Sequence, residues 1–115
     1  MKTYLTTTFS PAMLAPGASC TITEVSLSDT IHTLNTLDAA RIEVESAVGH
    51  EVTAQILGRL LGRCVVFNRQ NLSVENSRIL AIVPGFRTDS AREFTLAEIQ
   101  AAPWRFFDIR VFPPR

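Results

Sequence analysis

Arg41-Ile42-Glu43-Val44-Glu45-Ser46-Ala47-Val48-Gly49-His50-Glu51-Val52-Thr53-Ala54-Gln55-Ile56-Leu57-Gly58-Arg59-Leu60-Leu61-Gly62 changes its period halfway along. Up to Ser46 apolar and polar residues alternate, the mark of a half-buried strand. From Glu51 onward Val52, Ile56, Leu57, Leu60 and Leu61 share one helical face, and Gly62 stands where a helix stops. Gly49 lies at the seam, where a residue without a β-carbon lets the chain turn sharply. A strand passing directly into an amphipathic helix predicts strands and helices packed in layers, an α/β or α+β domain.

Working outward, Thr3 to Thr6 reads as a first strand. Ser10 before Pro11 is an N-cap and N1 pair that opens a helical turn. Pro16-Gly17 breaks the chain, Cys20 to Val25 alternates as a strand, and Ser28 to Leu37 carries Ile31, Leu34 and Leu37 as a short helix. Beyond the central helix, Cys64 to Phe67 and Arg78 to Val83 read as strands, the second apolar on both faces and therefore central. Pro84-Gly85 ends that strand, and a polar loop from Arg87 to Glu93 follows. Thr95-Leu96-Ala97-Glu98 is a capping box, Pro103 closes its helix, and Trp104 to Phe112 forms a last aromatic strand. The expectation is one domain over residues 1–115: an α/β fold with a mixed central sheet of about five strands flanked by helices.

Composition narrows the function classes. A chain of 115 residues can bury a core without staples, and its 46% hydrophobic and 19% charged residues are those of a globular protein. With a formal net charge of +0 there is no general attraction to long nucleic acid, so an anionic ligand must be met by local groups. Ten of the eleven basic residues are arginine, whose planar fork suits phosphate, although a coding bias gives the same count. Cys20 and Cys64 lack metal-ligand spacing and read as small core residues in a reducing compartment. The start of the chain is too polar for a signal peptide and no apolar run reaches membrane-spanning length, which predicts a cytoplasmic protein without a membrane partner. GxxxxGK[ST], GxGxxG and HExxH do not occur, so the expectation is no cofactor and no metal.

His50 sits against the first turn of the central helix, where free N–H groups favour anions. A histidine beside a bound phosphate can move protons during phosphodiester cleavage, whereas a bland reading makes it a polar residue near a helix start. Thr7, Thr8 and Ser10 place hydroxyls at a second strand exit, and Thr53 follows His50 by one helical turn. Asn68, Arg69 and Arg87 come just after strands, where loops carry binding residues over a rigid sheet. His32 has no such setting and reads as a surface residue. Phe106, Phe107 and Phe112 read as core, and Trp104 as a candidate for exposure.

In order along the chain, Leu5-Thr6-Thr7-Thr8-Phe9-Ser10, Val48-Gly49-His50-Glu51-Val52-Thr53, Asn68-Arg69, Arg87 ahead of Thr95-Leu96-Ala97-Glu98-Ile99, and Phe106-Phe107-Asp108-Ile109 resemble one family. It is the viral ring nucleases, small anti-CRISPR proteins of archaeal viruses and phages that degrade cyclic tetra-adenylate. The resemblance runs from Tyr4 to Val111 and is poor between Glu24 and Ala40. It implies a homodimer holding a cyclic oligonucleotide across its two-fold axis, without metal, in the cytoplasm of an infected host. By residue-for-residue match it implies His50 and Arg87 as catalytic, and Thr7, Ser10, Thr53, Asn68 and Arg69 as substrate-binding. A glutamate that assists the histidine in the family falls here on Ser90, with Asp89 and Glu93 nearby. Asparagine is usual at Thr7, and a glutamine at Val83. A non-cleaving protein that sequesters a cyclic nucleotide is therefore the alternative, and a dimeric interaction module with a vestigial pocket is a third.

Overall fold

A computed structural model describes residues 2–70, 72, 76–85 and 94–114. In chain order these form β1 (Lys2–Thr6), a 3-10 turn (Pro11–Met13), β2 (Ser19–Val25), α1 (Leu27–Ala39), β3 (Val44–Ser46), α2 (Glu51–Leu61), β4 (Ser77–Val83), α3 (Leu96–Ala101) and β5 (Arg105–Phe112). The strands make one mixed sheet in the order β2-β5-β4-β1-β3. β1 pairs parallel with both β3 and β4, while β5 runs antiparallel to both β4 and β2. Four strands consequently point one way and β5 alone points back.

The central strand is β4, and its apolar sequence is explained by burial on both faces: Leu80 and Ile82 enter one core, Ile79 and Ala81 the other. The first core gathers Leu34 and Leu37 of α1, Ala54, Ile56, Leu57, Leu60 and Leu61 of α2, and Ile99 of α3. All three helices therefore pack on the same face of the sheet. The opposite face is covered more thinly, by Phe9, Met13 and Leu14 from the connection after β1 and by Leu72. Burying one leucine or isoleucine side chain stabilises by about 1.5–3 kcal/mol, so the apolar stripe of α2 holds that helix, and His50 at its start, firmly on the sheet.

Local signals set the helix ends. Ser26 caps α1, accepting from the Asp29 N–H at 3.0 Å while the Asp29 carboxylate accepts from the Ser26 N–H at 3.2 Å. The exit of α1 is a Schellman turn, with the Ile42 N–H on the Leu37 carbonyl at 2.9 Å and Arg41 at φ 57° in the left-handed region. That turn is why β3 begins at Val44 rather than at Arg41, where alternation alone would start it. α2 ends on Gly62 at φ 68°, the helix stop expected from the sequence. Thr95 and Glu98 form the capping box of α3.

Three expectations are corrected: the strand over residues 64–67, and the core placement of Cys64 and of Phe112. Cys64 to Phe67 is not a strand: only an isolated parallel bridge joins Phe67 to Val48, and Val66 and Phe67 are 61% and 49% exposed. The segment lies beside β3; Val65 packs on the first core, but Val66 and Phe67 face solvent, so apolar content there did not mean burial throughout. Cys64 is likewise exposed, and only Cys20 packs against a core. Phe106 is buried and Phe107 half-buried, whereas Phe112 at the end of β5 is exposed. Trp104 is half-buried and donates its indole N–H to the Ile99 carbonyl at 2.7 Å. His32 is exposed on α1.

Candidate functional site

Because β1, β3 and β4 are parallel, their exits lie on one edge of the sheet, in register at Leu5 with Ser46 and at Thr6 with Ala81. β2 exits at the same edge, and β5 enters there, since Val25 faces Phe106 and Val83 faces Arg105. In sheets with parallel strands this carboxyl edge is where ligands gather.

At the first exit Thr6 Oγ1 donates to the Thr8 carbonyl at 3.1 Å and accepts from the Thr8 N–H at 3.3 Å, which folds the chain sharply after β1. Thr7 is half-buried and Ser10 exposed. Ser10 caps the 3-10 turn, its hydroxyl accepting from the Ala12 N–H at 3.3 Å, and its own N–H donates to Met13 Sδ at 3.2 Å.

The second exit carries His50. It is the N-cap of α2, with extended backbone at φ −134°, ψ 130°, and its carbonyl receives the first helical bond from the Ala54 N–H at 2.9 Å. Its imidazole makes no capping hydrogen bond, and the residue is exposed. Thr53, one turn further, is buried at 2% exposure and already has a partner. Gly49 is not in the left-handed region, where the glycines found are Gly17 and Gly62. A β-carbon there would lie 3.6 Å from Arg69 Cγ, an ordinary contact, so the sharp turn expected of Gly49 is not what the backbone makes. The same distance shows that the exposed Arg69 lies over the peptide just before His50.

The loop between β3 and His50 is held by a side-chain clamp. Ser46 Oγ donates to the Val66 carbonyl at 2.6 Å and accepts from the Val48 N–H at 3.3 Å. Asn68 returns the contact: its amide Nδ2 donates to the Ser46 carbonyl at 2.8 Å and its N–H to the Val48 carbonyl at 3.0 Å. Gln70 Nε2 donates to the same Ser46 carbonyl at 3.1 Å and to Glu45 Oε1 at 3.4 Å. Asn68 thus uses its amide on the protein's own backbone. Between the first exit and this clamp lies a cleft of about 360 Å³ walled by Thr6, Thr8, Met13, Ala47, Gln70 and Leu72.

Arg87, and with it Asp89, Ser90 and Glu93, lies outside the described residues. The flanks are anchored. Gly85 packs so closely on Pro103 that a β-carbon would come 2.3 Å from the Pro103 carbonyl oxygen, and Arg59 Nη1 donates to the Phe94 carbonyl at 2.7 Å. At the same edge Arg105 makes a two-pronged contact with Glu24, at 3.0 and 2.8 Å, and lies 5.0 Å from the Phe107 ring centre. The hydrogen bonds from Arg105 hold the Glu24 carboxyl below its ordinary value. On the helix-bearing face Arg78 grips Asp108 at 2.9 and 2.6 Å, which raises the arginine's pKa further. Among the described residues no three His, Cys, Asp or Glu side chains converge as a metal site, and no helix is long and apolar enough to cross a membrane.

Ser46, Gln70 and Met13 are the residues that sequence reading passed over. The signal for Gln70 was present in Asn68-Arg69-Gln70, a polar run in which residues two apart turn to the same side.

The geometry defines a small α/β protein with a mixed sheet, helices on one face, and an exposed histidine and arginine at the edge where parallel strands end. The chain belongs to the STIV B116-like family, whose model matches residues 3–105; this is the viral ring nuclease family. Among solved structures it is similar to B116 of Sulfolobus turreted icosahedral virus, at 23% identity and a TM-score of 0.81, covering 96% of this chain and 99% of that one. No curated protein matches the chain significantly.

Proposed function

We propose that the protein is a ring nuclease that opens a cyclic oligoadenylate, most simply cyclic tetra-adenylate, and so silences type III CRISPR signalling in the cytoplasm of a virus-infected host. The observation that carries this reading is an imidazole at a helix start that is exposed and unused as a cap, with Arg69 laid over the adjoining peptide. In the reaction a ribose 2′-oxygen attacks the adjacent phosphorus in line, the bond to the 5′-oxygen breaks, and a 2′,3′-cyclic phosphate remains. The 2′-hydroxyl proton passes to solvent, and His50, as imidazolium, protonates the departing 5′-oxygen. Arg87 neutralises charge on the phosphorane-like transition state, Arg69 holds a backbone phosphate, and Thr7, Ser10 and Thr53 belong to the ligand's surroundings. Because the nucleophile is part of the substrate, the scheme requires no metal.

The proposal includes a two-fold assembly, with which the size of the cleft is compatible. At about 360 Å³ it stands at the low end of the roughly 300–1,000 Å³ of small-molecule pockets, enough for part of a ring of four nucleotides. A homodimer would supply two such clefts and two His50 side chains to a ligand with its own symmetry.

Incubation with a panel of cyclic oligonucleotides in the presence of chelator, followed by separation of products, tests the reading. Linear products with cyclic phosphate ends are expected, and His50→Ala should slow their formation roughly a hundred- to ten-thousand-fold. Undiminished cleavage by that variant would overturn the assignment. Ser90, standing where the family has a glutamate, favours the sequestering alternative, whose signature is tight binding without product from the unaltered protein.

A further inference from the structure

We infer that the cleft between the first strand exit and the His50 loop is a base subsite, and that Gln70 makes it select adenine through the 6-amino group. The inference rests on the ring nuclease reading and adds the residue that sets base specificity. A side-chain amide can be turned either way, and its neighbours decide which. Here both neighbours of Nε2, the Ser46 carbonyl and Glu45 Oε1, are acceptors without a proton to give. Turning the amide over would set its oxygen against two other oxygens, so the NH2 is committed to β3. Gln70 lines the cleft, and the group it has left to offer a ligand there is its carbonyl oxygen, an acceptor only.

An acceptor fixed in this way recognises a donor. Among purines adenine offers one at its 6-amino group, while guanine and hypoxanthine carry an oxygen there that would face the Gln70 oxygen and be repelled. The walls suit a base as well. Met13 and Leu72 are half-buried and apolar, and a thioether against an aromatic ring is a favourable contact. The Met13 sulfur is held in place by the Ser10 N–H, so this wall is set before a ligand arrives. The Ser46 carbonyl, the Asn68 amide and the Gln70 amide form one network, which joins the base-reading group to the loop that carries His50.

The test compares equilibrium binding of three rings, cyclic tetra-adenylate, its inosine counterpart and its unsubstituted purine counterpart, by the His50→Ala protein, which keeps the ligand from being consumed. The adenylate is expected to bind at least tenfold more tightly than the purine ring, which lacks only the amino group, and more tightly still than the inosine ring. In a His50→Ala, Gln70→Leu protein the three affinities should fall within about threefold of one another. Equal binding of adenylate and purine rings by the parent overturns the inference without any change at Gln70. A Gln70→Leu protein that keeps the full preference overturns it too, while leaving the ring nuclease reading in place. A parent that binds none of the rings sinks both.

Discussion

Gly85 and Gly49 stand at two strand exits of the same edge, and the structure assigns them opposite responses to alanine. At Gly85 the new β-carbon would lie 2.3 Å from the Pro103 carbonyl oxygen, 2.6 Å from Pro103 Cγ and 3.2 Å from the Pro103 carbonyl carbon. Two of these atoms are backbone, and Pro103 is tied to the end of α3 by the neighbouring Trp104 indole on the Ile99 carbonyl. Overpacking of this kind costs about 1–3 kcal/mol. Reduced freedom of the unfolded chain returns about 0.4–1 kcal/mol. The net loss lies between about 0 and 2.6 kcal/mol, which at about 4 °C per kcal/mol for a domain of this size lowers Tm by up to roughly 10 °C. At Gly49 the nearest atom is Arg69 Cγ at 3.6 Å, and no left-handed backbone is required. Only the unfolded-state gain remains there, up to about 1 kcal/mol, so Tm should rise by up to roughly 4 °C. Thermal unfolding followed by circular dichroism, with urea titration to check that the m-value is unchanged, measures both. Gly85→Ala above the parent Tm, or Gly49→Ala several degrees below it, would refute the reasoning from space at these two positions.

Two further outcomes follow from the hydrogen bonds. Asn68→Ala removes the amide that holds the Ser46 carbonyl, so it should lower kcat by about tenfold or more with little change in KM, through misplacement of the His50 loop; a raised KM at constant kcat would make Asn68 a ligand contact instead. The Glu24 carboxyl is held below its ordinary value by Arg105, so the pair stabilises the fold above about pH 4.5 and the contribution fades as pH falls through the lowered value. The stability difference between the parent and Glu24→Gln, measured by urea unfolding, should therefore shrink between pH 7 and pH 3, and a constant difference would show that the ion pair contributes nothing.

Local chemistry made most elements legible. The capping boxes at Thr95 and the Ser10-Pro11 pair are written in residue types at fixed offsets, and the α2 stripe ends on a glycine that adopts the left-handed conformation it was placed there to adopt. What failed was inference from apolar content. Cys64 to Phe67 reads like β4, but β4 lies between two strands and buries both faces, whereas residues 64–67 run along the outside of β3 and leave Val66 and Phe67 in solvent. Neighbours decide that difference, and a single sequence does not name them. The distribution of helices was hidden for the same reason: three amphipathic stripes do not say that they share one face of the sheet.

The candidate site divides along the same line. Residue identity put forward His50 and Arg69, because a histidine before a helix and an arginine after a turn carry chemistry in their side chains, and the structure leaves both exposed near the strand exits. Identity also marked Asn68 as a ligand group, yet its amide is used to hold the Ser46 carbonyl. The residues that shape the cleft, Ser46, Gln70 and Met13, draw their roles from which way one donor or one sulfur faces, a property of the assembled edge. Parallel pairing of β1 with β3 and β4 is what assembles it, bringing exits separated by about forty residues each onto one line. A one-residue slip of β3 against β1 would turn Ser46 to the opposite face and take its hydroxyl away from the Val66 carbonyl. The placement of His50 therefore depends on strand register as much as on the histidine itself, and short β3 is held in register largely by side chains that act on backbone rather than on ligand.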